Sequence, residues 1–137
     1  EDIAVSGAHP RFPCGVEGIA DAPIEDVTFR NIDIAAQGGG TREDAARVPE
    51  YRRETSLEVS YLGTLPAAGF YARHARRLMI RDVSLRTAVA DARPLVALRN
   101  VEGAIVDRVA SAMPRNAVLD SRDSRDVALG EVKIWGN

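Results

Sequence analysis

Residues 24–34 read Ile-Glu-Asp-Val-Thr-Phe-Arg-Asn-Ile-Asp-Ile. Val27 and Phe29 alternate with polar neighbours. Ile32 and Ile34 do the same, but the phase slips by one residue at Asn31. Strand side chains point to opposite faces in turn, so the slip predicts two short strands joined by a sharp bend. The signature returns in residues 78–85, where Leu78 and Ile80 alternate, the phase slips at Asp82, and Val83 and Leu85 alternate. Residues 127–134 repeat it with a bend near Glu131, and residues 104–111 are a weaker copy with Val106 and Val109 at the equivalent places.

The segments ahead of these copies also align. Phe70–His74 matches Val96–Asn100 and Leu119–Asp123, so Arg73, Arg99 and Arg122 share one position and His74, Asn100 and Asp123 the next. The offsets are 26 and 23 residues, and Val27 precedes Leu78 by 51. A unit of that length cannot close a core alone, so neighbouring units must stack. The pattern predicts an all-β fold: one domain over residues 1–137, built as a parallel β-helix of short strands. The Leu-x-x-Leu-x-Leu string of a leucine-rich repeat is absent. An antiparallel sandwich would not require equivalent residues at these intervals.

The 51-residue gap implies one coil carrying a long insertion, about residues 35–68. It opens with Gly38-Gly39-Gly40, read as a flexible exit from the coil. Thr41 followed by Asp44 is a helix-start pattern, and Pro49 should end any helical turn there. A long loop leaving a rigid stack is a place for binding residues; the plainer alternative is a packing loop that covers an edge.

Charge changes this picture little. Eighteen basic against 20 acidic residues give a net charge of −2, too weak a field to recruit nucleic acid or anionic lipid. All the basic residues except Lys133 are arginine, whose guanidinium suits carboxylate-bearing ligands. No apolar run reaches the roughly 18 residues of a membrane span. The single Cys14 excludes an internal disulfide. The opening residues, Glu-Asp-Ile-Ala-Val-Ser-Gly, do not resemble a signal peptide; they resemble the interior of a strand-and-turn repeat.

Candidate chemistry is sparse. His9 and His74 lie far apart and outside metal-ligand spacing, there is no phosphate-binding loop, and no cofactor or metal is expected. In Phe70-Tyr71-Ala72-Arg73-His74, an inward Phe70 leaves Tyr71 and Arg73 outward, a pair suited to stacking on a sugar and holding a uronate carboxylate. Alternatively, Arg73, Arg99 and Arg122 form a ladder with nearby acids. His74, Asn100 and Asp123 fit turn positions. Asp91 and Arg93, just before Pro94, are placed to pair across a bend. Among the acids, nothing fixes a separation that would mark two of them as an acid and a base.

The stretch from Pro23 to Pro94 resembles glycoside hydrolase family 28, the polygalacturonase and rhamnogalacturonidase group. The resemblance is carried by Pro23–Ile32, Gly38–Gly40, Pro49-Glu50-Tyr51, Gly63–His74 and Asp91–Pro94, in that order. It implies a right-handed, pectate-lyase-like parallel β-helix and an inverting attack on a pectic or uronate-containing polysaccharide. It adds Glu50 and Tyr51 to Tyr71 and Arg73 as candidate substrate-binding residues. The family's acids come from Asn-x-Asp and Asp-Asp motifs supported by Gly-His-Gly and Arg-x-Lys, expected upstream of this stretch. Here Asp-Asp, Gly-His-Gly and Arg-x-Lys are missing, and Asn31-Ile32-Asp33 is a bend, so no catalytic residue carries over. The expectation is the C-terminal portion of such a hydrolase, inactive alone, whose partner is its own N-terminal β-helix portion or a second chain. The alternative is a non-catalytic module for carbohydrate binding or assembly. Polymer-degrading members are commonly exported, so a secreted or periplasmic location is implied.

Overall fold

The computed structural model describes residues 1–49 and 63–136. Its strands are β1 (Ile3–Ala8), β2 (Cys14–Glu17), β3 (Ile24–Ala36), β4 (Phe70–Thr87), β5 (Val96–Ser111), β6 (Leu119–Arg122), β7 (Arg125–Leu129) and β8 (Val132–Ile134). All eight belong to one sheet, and every strand pairing is parallel. One short helix, α1 (Arg42–Ala46), lies between β3 and β4. Among the described residues no helix is long and apolar enough to cross a membrane.

The register follows the repeat. Val27 lies opposite Leu78, Phe70 opposite Val96, and Val96 opposite Leu119, the 51-, 26- and 23-residue offsets of the sequence. In β4 and β5 a close pair of bends, three residues apart, separates a first straight stretch from a second, and a single bend separates the second from a third; β3 carries the later two of these bends. Left-handed backbone marks them: His74, Asn100 and Asp123 at the first; Asp26, Arg77 and Asp126 at the second, with Gly103; Asn31, Asp82 and Arg108 at the third. Asn, Asp and His are enriched in this conformation because a short polar side chain tolerates it. The phase slips at Asn31 and Asp82 are these third bends.

Bend residues also bridge neighbouring strands. Asn31 Nδ2 donates to Asp2 Oδ1 at 2.7 Å, and Asn100 Nδ2 lies 2.7 Å from His74 Nδ1. Arg77 and Arg108 are too large to favour a left-handed backbone by themselves. Arg77 is clamped on Asp26 at 2.6 and 3.0 Å, and Arg108 on Asp82 at 2.6 and 2.8 Å. Beside the second bend a charged column alternates in sign: Glu25, Arg76, Glu102 and Arg125, linked at 3.5, 3.7 and 2.9 Å.

All three stretches feed one core. Phe70, Ala72, Val96 and Leu98 come from the first, Leu78, Ile80, Ala104 and Val106 from the second, and Ile32, Ile34, Val83, Leu85 and Val109 from the third. Stacking like residues strand over strand fills the space with few aromatics; Phe29 and Phe70 supply one tilted ring pair at 5.3 Å.

The insertion begins as expected and then departs. Thr41 and Asp44 form a reciprocal capping box on α1, which ends at Ala46, before Pro49. The glycines, however, are a bonded turn and not a flexible exit. Gly39 N–H donates to Ala90, Val89 N–H to Gln37 and Ala92 N–H to Gly40, tying residues 37–40 to the turn after β4. Gly38 and Gly39 sit at φ +79° and +88°, open to glycine at little cost.

Three substitutions test this architecture by denaturant unfolding. Leu98→Ala empties a fully buried site and should cost about 2–5 kcal/mol. Asn100→Gly should keep the bend, whereas Asn100→Val should lose about 1–2 kcal/mol more, because a β-branched residue resists the left-handed backbone.

Candidate functional site

The chemistry-bearing residues gather on the outer face of β2 and the first stretches of β4, β5 and β6. The register places Glu17, Arg73, Arg99 and Arg122 in one column, and Gly15, Tyr71, Ala97 and Asp120 in the next outward column. Three arginines on adjacent strands repel one another unless their charge is met. Glu17 approaches Arg73 at 3.9 Å, and Asp120 meets both Arg99 and Arg122 at 3.2 Å. The ladder expected from the repeat is therefore present, with its acids at the edge and in the neighbouring column.

The insertion roofs this face. Arg73 donates to the carbonyl of Pro49, and Arg99 donates to the carbonyl of Ala45 at 3.3 Å, at the negative end of α1. Arg99 is buried as a result. The roof is anchored by a second ion pair. Arg93 and Asp91 meet at 2.7 Å with both side chains almost fully enclosed, and Arg93 Nη1 donates to Leu65 O at 3.2 Å. A Cβ on Gly40 would overlap the Arg93 guanidinium, so glycine is required where the chain passes the pair.

Tyr71 corrects the sequence reading. Its side chain leaves the strand on the outer face, as alternation requires, but Leu65 and Ala67 pack over it with Ala97, and it is only 2% exposed. It is a core residue of a small second cluster and offers no platform to a sugar. Arg73 is part-buried and engaged with Pro49 and Glu17. Glu50 and Tyr51 lie outside the described residues. The structure thus brings Tyr71 and Arg73 together beneath a lid.

Glu17 is the member that sequence reasoning missed. It is one acid among 20, and only pairing with β4 places it beside Tyr71 and Arg73. Burial pushes its carboxyl up to about 7, against the opposing pull of Arg73 and Tyr71. Burial, then the Glu17 charge, pushes the Tyr71 phenol above its usual range. Among the described residues, both Glu17 oxygens, the Tyr71 hydroxyl and Arg99 Nε lack a well-formed hydrogen bond. His74, at the adjoining bend, is held below its usual value by burial and Arg73.

Chemically, this is a carboxyl able to carry a proton near neutral pH, beside guanidinium groups and a phenol. Hydrolysis of a glycosidic bond with inversion needs two carboxyls about 6.5–9.5 Å apart. Among the described residues, Asp120 is the acid in the neighbouring column of this face, and it stands three strand spacings from the Glu17 strand, about 14 Å at roughly 4.8 Å each. Asp120 is also committed to two arginines. The pair does not make an inverting site. Among the described residues no three His, Cys, Asp or Glu side chains are grouped to hold a metal ion.

Removing one partner of the buried pair, as in Arg93→Ala, should destabilise the protein by about 3–5 kcal/mol in denaturant unfolding, because Asp91 is left charged and enclosed. Burial opposes ionisation of Asp91, but its bonds to Arg93 and Gly40 outweigh this and hold the carboxyl below its usual value. Its contribution is therefore complete above the ordinary carboxylate pKa of 3.8 and is lost as pH falls through the lower folded value.

Glu17 has the opposite sign. Its folded pKa is raised, so folding takes up a proton between its ordinary 4.5 and about 7, and stability falls as pH rises through that window. Glu17→Gln should flatten this part of a melting-temperature-against-pH profile and raise the melting temperature at pH values above it.

No family model, curated protein or solved structure matches this chain, which leaves its residues and their geometry as the ground for a functional reading.

Proposed function

We propose that the chain is a stack of coils from a right-handed parallel β-helix, the C-terminal portion of a pectin-type glycoside hydrolase of the polygalacturonase and rhamnogalacturonidase group. It supplies scaffold and an arginine-rich flank and does not hydrolyse by itself. The observation that carries this reading is the parallel register at offsets of 51, 26 and 23 residues, with bends recurring at shared register positions and one shared core.

The residues that carry the family resemblance support it as scaffold. Gly63–His74 contributes the cover over Tyr71 and the start of β4, and Asp91–Pro94 contributes the buried ion pair. The arginine column suits a uronate polymer, of which Arg122, half exposed, is the accessible member.

A second reading, a non-catalytic module for carbohydrate binding or assembly, is favoured by apolar residues on the outermost strands. Ile3 and Ile134 are 48% and 52% exposed, beside strand edges that can accept another chain.

Native mass and activity separate these readings. The chain alone should release no reducing ends from polygalacturonate or rhamnogalacturonan above the buffer rate, and the species isolated from its source should exceed 14.8 kDa by travelling with a larger polypeptide that hydrolyses one of them. Turnover by the chain alone would overturn the inactive-portion reading. An isolated 14.8 kDa monomer or a symmetric homo-oligomer would favour the second.

A further inference from the structure

The third stretch of the sheet carries a groove on its outer face, away from the roofed arginine column. Its volume is about 420 Å3 and it is open to solvent. The register sets Asp33, Ser84 and Ala110 side by side as its floor, between the buried positions that face the core. Two of those three side chains are small, which leaves a shallow, open depression. Asp82 and Arg108 form one wall at the third bend, and Arg86 lines the other.

The groove's charge is balanced, two carboxylates against two guanidinium groups. Asp33 accepts from Ser84 and from Arg86, the latter at 2.9 Å, while Asp82 holds Arg108. These pairs are 38–63% exposed, and exposed pairs exchange partners with little loss. Arg86 also lies over the ring of Trp135, with its guanidinium carbon 5.6 Å from the centroid. The site thus offers acceptors and donors to adjacent hydroxyl groups, with a flat aromatic surface next to it. A polyanion would meet Asp33 and Asp82, and a polycation would meet Arg86 and Arg108.

From this geometry we infer that the groove binds a short, uncharged oligosaccharide lying across β3, β4 and β5. Three strands span roughly 10 Å, the length of a disaccharide, and a third sugar would extend past them. Carboxylates and guanidinium groups take its hydroxyl pairs, and a pyranose ring replaces Arg86 against Trp135. This site is separate from the arginine column and does not rest on the reading given for that face.

Trp135 is the sole tryptophan and lies under Arg86, which lines the groove, so its fluorescence reports on the groove through that contact. Titration with β-1,4-galactotriose should give a saturable change at millimolar concentration, with weaker responses to trigalacturonate and to the cationic glucosamine trimer. Ala110→Arg, which fills the floor from the outward side, and Asp33→Ala should each weaken binding at least about ten-fold. Circular dichroism and the melting temperature report on folding of both variants. The inference is overturned if galactotriose gives no saturable change, if either charged trimer binds as tightly, or if both folded variants bind as the parent does.

Discussion

A sheet that turns sharply must turn at the same place in every strand, or the hydrogen bonds between strands are lost. That constraint governs this protein. Each bend needs a left-handed residue, and left-handed backbone is costly for most side chains. Asn, Asp and His reduce the cost, and in this chain they do more. At a shared register position, a short polar side chain on one strand lies next to its counterpart on the following strand. Asn31 reaches Asp2, and Asn100 reaches His74. Where arginine takes the position, a carboxylate one strand away holds it, as Asp26 holds Arg77. The residue that permits the bend also fastens it to its neighbour.

Stacking equivalent positions solves the core and creates a problem on the surface. Inside, valine, leucine and isoleucine meet their like and fill space. Outside, arginines meet their like and repel. The protein answers with carboxylates in the next column and with main-chain carbonyls from the insertion, which turns the arginine column into an anchor for the segment above it. Leu65 and Ala67 then close over Tyr71, and the Asp91–Arg93 pair locks the cover from the other side. The polar face suited by type to binding is thereby used for internal cohesion.

The strand pattern was legible because alternation and its phase slips are local properties. Val27 against Leu78 and Arg73 against Arg99 follow from aligning the chain with itself. The capping box at Thr41 was equally local. The fate of Tyr71 was not: alternation gives the direction in which a side chain leaves the strand, but says nothing of what later packs on it. Glu17 was hidden for a related reason. Its elevated proton affinity comes from burial, and that burial depends on the pairing of its short strand, β2, with the distant β4.

The alternating column of Glu25, Arg76, Glu102 and Arg125 gives the stack a parity. Loss of one complete repeat from the middle would leave the inward apolar pattern intact, since every repeat presents apolar residues to the core. It would, however, set Glu25 against Glu102, or Arg76 against Arg125. Loss of two repeats would restore the attraction. Change by single repeats is therefore penalised by electrostatics even where packing permits it, and the surface keeps a count of repeats that the core cannot.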